Sequence, residues 1–156
     1  MLTKNFGLYL LFSFLLFFIS YSNAAELGIC LGYPYLGIKY SVTDAKFSFE
    51  CRYAFGKGIN VYSGRVYYNF YKKGKVNAFT GGEVGYIDFN IYGRKGIGAE
   101  TGAFIGCEYF VLKRLSIGID FSPTVIGLKF DKFGRIGLQY IFNLSVCYHI
   151  KPKKEK

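Results

Sequence analysis

From Gly98 to Phe130 the chain alternates in steps of two, and only Lys113-Arg114 interrupts the pattern. Ala99, Thr101, Ala103, Ile105, Cys107, Tyr109 and Val111 fall on one face of the first run, with Glu100, Gly102, Phe104, Gly106, Glu108 and Phe110 on the other. The second run places Leu115, Ile117, Ile119, Phe121, Pro123 and Val125 opposite Ser116, Gly118, Asp120, Ser122 and Thr124. A period of two belongs to a strand and excludes a helix, whose faces repeat every 3.6 residues. Two such runs joined by two residues predict an antiparallel hairpin.

The same reading extends along the chain. Leu36–Val42, Phe47–Phe55, Ile59–Tyr71, Val76–Asn90 and Ile136–Ile150 are further strands, and Leu27–Leu31 is a short first one. Turn signals separate them at Gly32–Tyr35, Thr43–Lys46, Gly56–Gly58, Lys72–Lys75 and Asp131–Arg135, and Ile91–Ile97 reads as a loop. With 15 Tyr, 17 Phe and 20 Gly against 3 Pro, the composition leaves little room for helix. The fold class is therefore all-β: eight antiparallel strands, each beside its neighbour in sequence. A flat meander would leave two reactive edges, which closure into an up-and-down barrel removes.

The amino terminus is organised differently. Lys4 precedes an apolar run from Phe6 to Ile19, followed by Ser22 and Ala24 at the spacing of a signal-peptidase site. The run is too short for a comfortable helical span, so residues 1–24 read as a secretory signal peptide, 25–150 as the barrel domain and 151–156 as a basic tail. Cleavage would leave 19 Lys and Arg against 10 Asp and Glu, a charge of +9. That excess lies in clusters such as Lys72-Lys73, Arg94-Lys95 and Lys113-Arg114 rather than in one stripe, so no nucleic-acid partner is expected. Clusters at strand ends suit lipid headgroups.

One strand face is aliphatic and aromatic. The other carries Lys39, Glu50, Arg52, Arg65, Glu83, Glu100, Glu108 and Asp120. In a soluble barrel the apolar face lines the interior, and in an outer-membrane barrel the arrangement inverts. Strand lengths near those needed to cross a bilayer favour inversion. So does the sorting of cations into early strands and carboxylates into later ones, which lets them pair across a narrow lumen as an interior ion network rather than an acid/base couple. Ala99, Ile105, Tyr109, Ile117 and Phe121 should then touch lipid, and the interior should be packed and polar, with no large open pore.

These features together resemble a known family. The leader, the eight short-turned strands, the aromatic-x-aromatic steps Phe47-Ser48-Phe49 and Tyr68-Asn69-Phe70, and the run Thr80–Tyr86 are similar to the small outer-membrane β-barrel domains of the OmpA/OmpX type. The resemblance implies a monomer in the cell outer membrane with a structural or interaction role, contacting outer-membrane lipid, lipopolysaccharide and the barrel assembly machinery. Family members usually end on an aromatic residue, whereas this chain ends its last strand with Tyr148-His149-Ile150 and continues to Lys156. Alternatives are a secreted lipocalin-like barrel holding an apolar ligand and a lipid-modifying barrel enzyme.

The candidate chemistry is sparse. His149, the single histidine, reads as a solvated strand end without a nearby Ser or Asp, so no catalytic residue is assigned. The four cysteines lack CxxC spacing, and neither a metal nor a cofactor is expected. By parity Cys51 and Cys107 face lipid, while Cys30 and Cys147 face inward on the first and last strands, where closure would permit a seam disulfide in place of free thiols.

Overall fold

The computed structural model describes residues 25–33, 35–42, 46–91, 93–130 and 133–150. The predicted leader and basic tail lie outside them. Eight strands follow in order: β1 Ala25–Gly32, β2 Tyr35–Val42, β3 Phe47–Gly56, β4 Ile59–Lys73, β5 Val76–Ile91, β6 Arg94–Leu112, β7 Leu115–Phe130 and β8 Phe133–Ile150. Each pairs antiparallel with the next, and β8 returns to β1, closing the barrel. No helix among the described residues is long and apolar enough to cross a membrane, which has no bearing on strands.

Hairpin turns are tight because glycine accepts left-handed backbone angles that other residues resist. Gly58, Gly74 and Gly93 have φ of 76°, 60° and 77° and serve the β3–β4, β4–β5 and β5–β6 turns. The last of these corrects the expected loop at Ile91–Ile97. Arg94, Lys95, Gly96 and Ile97 already pair with Ile91, Asn90, Phe89 and Asp88 as strand residues. Similarly, Gly134 and Arg135 belong to β8, where they pair with Lys129 and Leu128 rather than extending a turn. The first strand runs beyond its expected Leu27–Leu31 core to eight residues.

Cross-strand partners fix the shape. Following them from Leu31 through Leu36, Tyr53, Tyr62, Tyr86, Ala99 and Gly127 leads to Ile136 on β8. The β8 partner of Leu31, however, is Val146, ten residues further along. A ten-residue stagger over eight strands corresponds to a tilt of about 40°, so each residue climbs roughly 2.5 Å along the axis. The lower strand ends are then nearly level, while the upper ends are not. β1 and β2, at 8 residues each, rise about 20 Å, whereas β6, at 19 residues, rises more than twice as far.

The pleat separates the two faces as the alternation requires. Ile105 is 55% exposed and Phe142 73%, while Glu108 and Asp120 retain 3% and 5%. Ala99, Tyr109 and Ile117 also face outward, and Phe121 stacks on Tyr140 at 6.0 Å on the outer surface. The apolar face is the outside of this barrel.

Candidate functional site

Seven of the eight charged residues expected on the inner face meet in the lower lumen. Alternation along β2, β3, β4, β5, β6 and β7 turns Lys39, Glu50, Arg52, Arg65, Glu83, Glu108 and Asp120 inward, and all seven are buried. Removing a lone charge from water is prohibitive, so each must find an opposite charge. Lys39 Nζ lies 3.1 Å from Glu108 Oε2, and Arg65 Nε 2.7 Å from Glu83 Oε2. Asp120 is shared, its Oδ2 lying 3.1 Å from Arg65 Nη1 and 3.9 Å from Arg52 Nη2. Its Oδ1 accepts from Asn143 Nδ2 at 2.8 Å.

Arg52 Nε approaches Glu50 Oε2 at 2.9 Å, yet its N–H finds no hydrogen-bond acceptor among the described residues, so this contact is a charge pairing without hydrogen-bond alignment. Tyr67 completes the link, donating its hydroxyl to Glu50 and accepting from Arg52 Nη2 at 3.0 Å. Aromatic faces hold the cations from the side: Arg52 lies 3.8 Å from the Tyr35 ring centre, Arg65 4.3 Å from Phe104 and Lys39 4.7 Å from Tyr67. Gly37 leaves the space that the Glu50 carboxylate occupies, for a Cβ there would strike it. The space left among Lys39, Glu50, Arg52, Tyr67, Glu108 and Asp120 is about 10 Å³, room for one water at most.

His149 departs from expectation. It is 4% exposed rather than solvated, because the closed ring carries it inward beside strands distant in sequence. Its Nδ1 lies 2.8 Å from Glu26 Oε1, and its Nε2 lies 2.8 Å from Ser116 Oγ and 3.2 Å from Glu108 Oε1. Serine, histidine and carboxylate thus stand together as they would in a hydrolase, but Ser116 donates its own proton to Glu108 at 2.6 Å and is wholly buried. The hydroxyl is committed and inaccessible, so this cluster serves as a lock linking β1, β6, β7 and β8.

Cys30 and Cys147 are register partners across the β1–β8 seam and form a disulfide. Cys51 and Cys107 are free thiols, the first half-buried and the second exposed.

Glu100 is the exception among the expected network residues. It sits above the network and makes no salt bridge with a described residue. Around it the lumen changes character. A cavity of about 420 Å³ lies there, walled by Ile59, Val61, Ile87, Ile126, Leu128 and Ile141, with Arg52, Arg65 and Asn143 at its base. The expectation of a packed polar interior therefore holds below and fails above. Alternation assigns a side chain to a face but does not fix its height, and the inward isoleucines of β4, β5, β7 and β8 all lie in the upper part. Ser116, Tyr67, Asn143 and Glu26 also join these contacts without a sequence motif to mark them. Their inward parity was readable, but their partners come from other strands.

Two solved structures are similar to this chain. Neisserial surface protein A aligns with a TM-score of 0.50 at 14% identity, covering 81% of this chain and 94% of its own. The amino-terminal β-barrel domain of Pseudomonas aeruginosa OprF aligns at 0.46 and 14% identity, covering 81% and 95%. Both are eight-stranded outer-membrane barrels. The chain is similar in fold to NspA. No family model and no curated protein sequence matches it.

Proposed function

We propose that this protein resides in the bacterial outer membrane as a plugged, monomeric barrel with a structural or surface-presenting role. The observation that carries this reading is the inversion of faces: aliphatic and aromatic side chains cover the outside, and buried ion pairs fill the lower lumen. A soluble barrel would expose the charges and bury the rings, so a lipocalin-like role conflicts with this surface. The lower lumen also opposes solute passage, since the residual space is smaller than any hydrated ion requires. Outer-membrane lipid, lipopolysaccharide and the barrel assembly machinery are its proposed partners. The start of β1 and the end of β8, together with the turns after β2, β4 and β6, then face the periplasm.

Refolding in detergent tests the reading. The folded protein should run differently on a gel boiled and unboiled, aggregate when detergent is withdrawn, and produce no conductance steps in a planar bilayer. A monodisperse, strand-rich protein without detergent would overturn the membrane assignment, and regular conductance steps would overturn the plug.

A further inference from the structure

Among the described residues, the barrel wall is incomplete at the height of the upper cavity. β1 and β2 rise about 20 Å, while the apolar belt of an outer-membrane barrel is roughly 25 Å tall. Beside them β8 continues upward: Gly32 pairs with Ser145, and residues 133–144 are bordered by β7 alone among the described strands. Across the gap β3 extends past its last β2 partner, Ala54, to Gly56. A notch thus opens over the β1–β2 hairpin, and Gln139, Ile141 and Asn143 carry the cavity wall up to its edge.

On the membrane reading proposed above, this notch faces the hydrocarbon of the outer leaflet. The walls behind it are mostly isoleucine, valine and leucine, with Glu100 and Gln139 set among them, and the volume is in the range of small-ligand sites. Its two banks carry Lys57, in the β3–β4 turn, and Arg135, on β8, both exposed and neither in a salt bridge with a described residue. The upper β8 edge, paired on that side with no described strand, adds backbone donors that need acceptors at membrane depth. Apolar walls, flanking cations and spare donors together fit an anionic amphiphile. A second copy does not fit. Sharing the same membrane orientation, its β8 would also descend, and two strands each tilted by about 40° would cross at about 80° instead of forming a ladder.

We infer that an acyl chain of an anionic outer-leaflet lipid enters the upper lumen sideways over the β1–β2 hairpin. Its tail lies against Ile87, Ile126 and Ile141, and its phosphate meets Lys57, Arg135 and the β8 edge. The test uses the intact protein refolded into phosphatidylcholine vesicles containing a minor fraction of phosphatidylglycerol with a diazirine at the end of one acyl chain. After irradiation, labelled residues are mapped by mass spectrometry. Label on Ile87, Ile126 or Ile141, as well as on outward residues such as Val125 and Leu138, is the expected result. A phosphatidylcholine probe of the same chain should label the inward residues less. In the double variant Lys57→Gln/Arg135→Gln, inward labelling by the anionic probe should fall about tenfold with outward labelling unchanged.

Label confined to outward residues overturns the inference while leaving the membrane reading intact, as does equal inward labelling by both probes. Protein dimers cross-linked through β8, with an unlabelled lumen, would assign the edge to a second copy instead. Absence of outward label would remove the membrane reading, and the inference with it.

Discussion

The lower and upper halves of the lumen are built from the same strands with the same alternation, yet one is packed with paired charges and the other is mostly apolar and open. The difference follows the wall. Below, all eight strands are present, so Lys39 from β2 can reach Glu108 from β6, and Arg65 from β4 can reach Asp120 from β7. Above, β1 and β2 have ended. A buried charge there lacks partners from a complete ring, as Glu100 does, and most inward positions are filled by residues such as Ile87, Ile126, Leu128 and Ile141 instead. An ion-pair plug requires closure around its full circumference, and this barrel carries one only where closure exists.

That contrast sets an order of mutational effects. The largest belongs to Asp120→Ala, which removes the carboxylate shared by Arg52 and Arg65 and leaves these two buried guanidinium groups with one carboxylate each, Glu50 and Glu83. A loss of about 3–5 kcal/mol in folding free energy is expected, read from urea unfolding in vesicles. Cys147→Ser opens the seam of a 117-residue separation, and a loss of about 2–4 kcal/mol should appear by the same measurement. If that variant unfolds with the native midpoint, the seam bond contributes nothing.

Gly37→Ala pushes a methyl group into the Glu50 carboxylate, which Tyr67 and Arg52 hold in place. About 1–3 kcal/mol is expected, and a neutral result would mean that the lower lumen is looser than its geometry. The smallest effect is assigned to Ile126→Ala, whose side chain already borders open space. It should cost under about 1 kcal/mol, because no new cavity has to form. A penalty equal to that of Asp120→Ala would erase the distinction between the halves.

Much of this architecture was legible in the sequence. The β6–β7 alternation gave the strand pair, its two-residue turn and the direction each face would take, and inward parity placed Cys30 and Cys147 on the two strands that closure joins. Parity carries no information on distance around the ring, however. His149 looked like a bare strand end because Glu26, Ser116 and Glu108 lie 123, 33 and 41 positions away in the chain. Glu100 shares a face with Glu108, yet eight residues along one tilted strand separate them by about 20 Å of height. The basic, glycine-containing stretch after Ile91 resembled a loop because polarity marks exposure to water, and strands that rise beyond the apolar belt are exposed as well.

The seam disulfide makes assembly countable in time. The chain contains four cysteines, and a barrel whose ends have met keeps two of them, Cys51 and Cys107, as thiols. Cys30 lies near the start of the described chain and Cys147 near its end, so in an oxidising compartment their bond can form only after the last strand has reached the first. Alkylation of samples withdrawn during folding would therefore shift from four labels to two as the ring closes. The mass of the protein would then record how many molecules have closed at each moment.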